Sequence, residues 1–207
     1  MMANNNVPLT DEDKKIWDEI VKKGFLNAVK GLSKMVGRDF VVNTIEVRRM
    51  PASSMPGLFG GPDRLLIGVY LTFTGASTGH ILLAHEPEIA YKILDMIMGR
   101  KIGTSKNLDE MSKSALGEMG NVTSAYFLNA VADHLNVTLH PSPPAVMMDM
   151  AGAMMDMALA SILQERDDIF MARTSFSLSD RTIEGNFLLM PNAGFLKLPL
   201  TQAANVH

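Results

Sequence analysis

Ser114, Glu118 and Asn121 place a hydroxyl, a carboxylate and a carboxamide at spacings of four and three within a run rich in Leu, Ala and Met. On a helix advancing about 100° per residue they fall at roughly 0°, 40° and −20°, so their side chains leave one narrow arc. Such a trio could bind and orient. The carboxylate can pair with a cation, and the carboxamide can donate and accept hydrogen bonds while staying uncharged. Spacing alone does not separate this from the polar face of any amphipathic helix. Gly117 and Gly120 add a second signal, because each costs about 0.8–1.0 kcal/mol of helix propensity relative to Ala. A helix that carries both is expected to let something approach its backbone closely at this point.

The elements that must position the trio follow from patterning. Thr10 followed by Asp-Glu-Asp is a good helix start, and a helix from about residue 10 to 36 is expected to stop at a left-handed Gly37. "DFVVNTIEVRRM" reads as a strand ahead of Pro51, and "PASSMPGLFGGPD" as a Pro/Gly-rich loop. "RLLIGVYLTFTG" and "GHILLAHE" read as a hairpin, and residues 86–99 as a short helix stopped at Gly99. "NLDEMSKSALGEMGNVTSAYFLNAVADHLN" is then a long helix bearing the trio, and "VTLHPSPP" an extended segment. The Met-rich run reads as a further helix, ahead of two strands, "DIFMARTSFSL" and "IEGNFLLMP". An offset of 99 superposes Glu19 to Leu32 on Glu118 to Val131, and an offset of 106 superposes "GHILLAHE" on "GNFLLMPN". The expectation is one domain of two similar halves, at about 10–100 and 107–200.

Composition narrows the function classes. With 207 residues, 47% of them hydrophobic, the chain can bury a substantial core. A formal charge of −3 and no Lys/Arg stripe with interleaved aromatics speak against nucleic acid. No cysteine is present, which removes disulfides, thiolate catalysis and Cys-based zinc sites. The N-terminus lacks the basic start and apolar core of a signal peptide, so a cytoplasmic location is the expectation. The most apolar stretch, "PPAVMMDMAGAMMDMALASIL", carries Asp149 and Asp156 and so reads as a soluble helix. His80, His85, His134, His140 and His207 show no metal-ligand spacing and are expected to be surface or satisfied histidines. "GLFGGPD" lacks the lysine of a phosphate loop, and the methionine cluster reads as core.

The trio resembles the signature of the CheC family of chemotaxis phosphatases, which includes CheX and FliY. That signature is Asp or Ser, three residues, Glu, two residues, Asn, then twenty-two residues and Pro; Ser114, Glu118, Asn121 and Pro144 fill it. "LSKMVGRDFVVNTIEVRRMP" also looks like the family's first helix end and strand. The resemblance implies an α/β fold with pseudo-twofold duplication of helix-strand halves. In that fold a common, mainly antiparallel sheet carries the long helices on one side.

The function the resemblance implies is hydrolysis of the aspartyl phosphate of a CheY-type response regulator. Asn121 would orient the attacking water and Glu118 would pair with the regulator's active-site lysine, while Ser114 has no derived role and Pro144 ends a strand or fixes a turn. Magnesium would belong to the regulator, with no metal site or cofactor in this chain. The offset of 99 maps the trio onto Lys15, Glu19 and Lys22. An ammonium in place of the amide cannot accept a hydrogen bond from water, so this first site is expected to be silent. Asp149 and Asp156, seven apart, would share the outer side of one helix, and Asp149 falls where the family's acidic contact to the deamidase CheD would lie. A catalytically weak adaptor for CheD or a regulator, or a flagellar-switch-like interaction protein, remains the alternative.

Overall fold

The computed structural model describes residues 11–160, 162, 168–178, 186–192, 194, 195 and 198. Helix α1, Asp11–Val36, turns its apolar stripe of Trp17, Ile20, Val21, Phe25 and Ala28 inward. It ends at Gly37, whose φ of 69° is the left-handed stop expected of it; Thr10 lies outside the described residues. Strand β1, Phe40–Pro51, follows. The stretch expected as a loop instead forms a 3₁₀ helix, Ala52–Phe59, ended by Gly60 at φ 89°. Burial of Ala52, Met55 and Phe59 against the sheet explains the order. The hairpin is present as β2, Leu65–Gly75, and β3, Gly79–His85, and it leads into α2, Pro87–Ile97.

Helix α3, Glu110–Leu135, is the element that bears the trio. Its N-terminus is capped by Asp109, which accepts from the Ser112 backbone N–H at 2.8 Å, and Asn136 closes it at φ 46°. The short strand β4, Leu139–Pro141, corresponds to the expected extended segment.

The Met-rich run is corrected by the structure. Ala145–Met150 is a strand, β5, and only Ala151–Leu159 is helical, α4. Asp149 therefore stands on β5 opposite Leu66, while Asp156 is on α4, so the two do not share a helix face. The reason is tertiary. Pro143 and Pro144 disfavour a helical start just upstream, and β2 offers an edge along which Leu65 to Tyr70 pair with Met150 to Ala145. Strands β6, Asp168–Leu178, and β7, Asn186–Pro191, complete the sheet.

The seven strands run in the order β1-β6-β7-β3-β2, with β4 and β5 both on the outer edge of β2, and every pairing is antiparallel. Exchanging β1 with β4/β5, β2 with β6 and β3 with β7 returns the same order, which is a pseudo-twofold arrangement. At its centre Leu82 of β3 faces Leu188 of β7, two residues 106 apart. Helices α1 and α3, 26 residues each, begin 99 residues apart.

Alternation along the strands supplies two cores. Ile67, Val69, Leu71, Phe73, Ile81 and Leu83 join α1, α2 and α3 on one side. Leu66, Leu82, Ala84, Leu188 and Met190 meet the 3₁₀ helix and α4 on the other. The long helices thus share one side of the sheet, as expected. Met154 and Met155 are core residues, whereas Met148, Met150 and Met157 are exposed.

Candidate functional site

Ser114 and Glu118 are exposed and Asn121 is half-buried, all on the outward side of α3. Among the described residues no hydrogen bond or ion pair engages any of the three, so the carboxylate and carboxamide are free to meet a partner.

The helix is seated from below at Gly120, where a Cβ would overlap the Val69 side chain of β2. This is the close approach that the glycine pair foretold, and it is to the sheet. Gly117 differs. A Cβ there would meet Pro144 Cγ at 3.5 Å and Val146 Cγ2 at 3.6 Å, ordinary packing distances. Pro144 is thereby brought against the residue directly preceding Glu118. Its segment is anchored by Ser142, whose N–H donates to the Thr72 carbonyl at 2.8 Å and whose Oγ accepts from the Thr72 N–H at 3.0 Å. All four signature positions therefore belong to one neighbourhood, three on α3 and the fourth braced against it.

Lys15, Glu19 and Lys22 are all exposed on α1. Among the described residues no ion pair links them, so this face is solvated and its charges are unpaired. The two long helices cross closely. A Cβ on Gly24 would strike the Phe127 ring and one on Gly31 the Tyr126 ring, while Asn27 Nδ2 donates to the Tyr126 carbonyl at 2.7 Å. Asn27 and Tyr126 are 99 residues apart, so this bond lies at equivalent positions of the two halves.

Two features escaped the sequence reading. Asp95 on α2 is fully buried, and its carboxylate accepts from the backbone N–H groups of Gly103 and Thr104 at 2.7 and 2.9 Å and of Ser105 at 2.9 Å. Burial opposes its ionisation, but the hydrogen bonds from Ser105, Gly103 and Thr104 outweigh it and hold the group below the usual carboxylate range. The cradle fixes the connection between α2 and the α3 cap. A lone acid beside Ile93 and Leu94, followed by a Gly-Thr-Ser loop, was the available signal.

The second feature is His85, expected to be surface or satisfied. It is 2% exposed, neither ring nitrogen is bonded among the described residues, and burial lowers its pKa to about 4. His80 is also buried, bonded through Nδ1 to the Tyr70 hydroxyl at 2.7 Å, whereas His134 and His140 are exposed and His207 lies outside the described residues. Among the described residues no three His, Asp or Glu side chains stand together as a metal site, and no helix is long and apolar enough to cross a membrane.

The family model described as chemotaxis phosphatase CheX matches residues 67–165. The CheY-P phosphatase CheC of Bacillus subtilis is 25% identical over 169 residues, covering 81% of each chain. Among solved structures, FliY of Thermotoga maritima superposes with a TM-score of 0.70 at 22% identity, over 92% of this chain and 95% of that one. A chain of the CheX-CheY-BeF3-Mg complex from Borrelia burgdorferi superposes with a TM-score of 0.57 at 16% identity, over 83% of this chain and 97% of that one. Family model, curated relative and shared fold all point the same way: the chain is similar to chemotaxis phosphatases of the CheC/CheX type and shares their fold.

Proposed function

We propose that this chain hydrolyses the aspartyl phosphate of a CheY-type response regulator, with the α3 face as its working surface. The observation that carries the reading is the unengaged Asn121 carboxamide, half-buried one turn after an exposed Glu118 on a helix seated against the sheet at Gly120. The reaction requires water in line with the phosphorus–oxygen bond to the aspartyl carboxylate; as that bond breaks, charge spreads over the phosphoryl oxygens. Asn121 can accept a hydrogen bond from that water through Oδ1 and donate one to a phosphoryl oxygen through Nδ2 at once. A carboxylate in its place would be repelled by the phosphate. Glu118 supplies the docking charge for the regulator's lysine, and magnesium is held by the regulator. No metal or cofactor of this chain's own enters the proposal. Ser114 sits at the rim with no role in the chemistry, and Pro144 braces the helix turn that presents Glu118.

The α1 face is proposed to be silent in this reaction, because Lys22 offers no acceptor to water. Incubation with a phosphorylated CheY-type regulator tests the assignment. Asn121→Ala is expected to slow dephosphorylation by about 10²–10³, the usual loss for one oriented hydrogen-bonding group, while retaining regulator binding. Glu118→Lys is expected to weaken binding instead. Unchanged turnover in Asn121→Ala, with a gain in Lys22→Asn, would move the working site to α1. Asp149, exposed on the edge strand β5, is proposed as a CheD contact on the family resemblance alone. A pull-down in which Asp149→Lys keeps full CheD binding removes it.

A further inference from the structure

The exposed face of α1 is the pseudo-twofold counterpart of the α3 face, and it carries more positive charge. At the offset of 99, Lys22 stands in the place of Asn121, Leu26 of Ala125, Lys30 of Asn129 and Lys34 of Asp133. Lys22, Lys23 and Lys30 are exposed, and among the described residues none pairs with a carboxylate, although Asp18 and Glu19 stand a turn away from Lys22 and Lys23. Lys23 Nζ instead donates to Nδ1 of His134 at 3.1 Å, across the helix pair.

Between the helices lies an open groove of about 590 Å³, lined by Lys23, Leu26 and Lys30 from α1 and by Ala130, Asp133 and His134 from α3. Leu26 is 49% exposed within it, an apolar side chain framed by ammonium groups. The groove is a fixed feature of the fold, since the helices on either side are held by Asn27 on the Tyr126 carbonyl and by the packing of Gly24 and Gly31 on aromatic rings.

We propose that this groove docks an acidic amphipathic segment of a partner protein. One aliphatic side chain would cover Leu26 and Ala130, and flanking carboxylates would meet Lys22, Lys23 and Lys30. The charge balance selects the partner class. The chain as a whole carries −3, which disfavours extended polyanions such as nucleic acid or an anionic bilayer, while Lys23 and Lys30 outnumber Asp133 in the groove lining and leave it a small positive excess that attracts a compact acidic surface. An exposed leucine in this open, shallow groove offers an apolar contact for the hydrophobic face of a peptide helix. The inference is independent of the phosphatase reading, which rests on Glu118 and Asn121 of α3, neither of which lines this groove.

The probe is a fluorescein-labelled helical peptide with glutamates flanking a leucine stripe, titrated by anisotropy into the full chain. Saturable binding is expected, weakening with added salt. The Lys23→Glu/Lys30→Glu double variant is expected to bind at least about tenfold more weakly, and Leu26→Asp similarly, with peptide-induced amide shifts confined to α1 and the end of α3. Regulator dephosphorylation by the double variant stays at the wild-type rate, which separates failure of this proposal from failure of the phosphatase reading. No saturable binding, equal binding by the double variant, shifts elsewhere, or preferential binding of phosphatidylserine vesicles or single-stranded DNA would each overturn the proposal.

Discussion

His85 makes the stability of this protein depend on pH over a defined window. It ends β3 with its ring edge-on to Phe176, centroids 6.3 Å apart, and neither nitrogen has a partner among the described residues. Burial lowers its pKa from 6.5 to about 4, so the folded chain keeps the ring neutral where the unfolded chain protonates it. The contribution to stability is therefore present above about pH 6.5 and lost as pH falls toward 4. The loss approaches about 1.4 kcal/mol per pH unit once the unfolded histidine is mostly protonated, and sums to about 3 kcal/mol across the window. For a domain with about 5–15 kcal/mol of total stability, that is a large share.

His85→Leu keeps an apolar side chain of similar volume and removes the titration. Urea unfolding of both proteins from neutral pH down to about 4.5 measures the difference, because all other groups, including the buried His80 whose pKa is lowered in the same direction, are common to the pair. The two stabilities are expected to diverge as pH falls, the variant ending more than about 2 kcal/mol less pH-sensitive. Parallel curves would refute the reasoning, and would mean that water or a rearranged neighbour satisfies the ring.

The remaining predictions concern the seat of α3 and its connection. Gly117→Ala is expected to raise stability by about 1 kcal/mol in thermal or urea unfolding, since the added methyl meets Pro144 and Val146 at ordinary distances. Gly120→Ala is expected to be destabilising despite the same gain in propensity, because overpacking against Val69 costs about 1–3 kcal/mol. Adding Val69→Ala should recover part of that loss in a double-mutant cycle. Asp95→Ala leaves the Gly103, Thr104 and Ser105 N–H groups without their acceptor and is expected to cost more than about 2 kcal/mol. In the wild type this anchor is fully present above the ordinary carboxylate range and is lost as pH falls through the depressed value, which an acid titration of unfolding in the two proteins would show.

Much of the fold was legible because its signals are local. The two long helices carry apolar stripes at helical spacing, and Gly37 and Gly99 adopt the left-handed conformation that stops a helix. The hairpin of β2 and β3 follows from two β-rich runs joined by a short turn. The Met-rich run was misread because a short apolar stretch has no period that separates strand from helix. Which half became β5 was decided by the unpaired edge of β2, a partner about eighty residues away in the chain. Likewise, His85 and Asp95 look like ordinary polar residues until the sheet and the loop close over them.

The sequence by itself determined the site's composition. Side-chain spacing on a helix is set by backbone geometry, so Ser114, Glu118 and Asn121 must share an arc wherever the helix lies. It also determined that Lys22 stands at the position matching Asn121, which needs only the repeat offset. Only the tertiary structure decided which way that arc points, because the overlap of Gly120 with Val69 depends on a strand some fifty residues earlier. It alone braced Pro144 against Gly117, and it alone opened the lysine-rimmed groove, since a space between two helices exists only once they are packed.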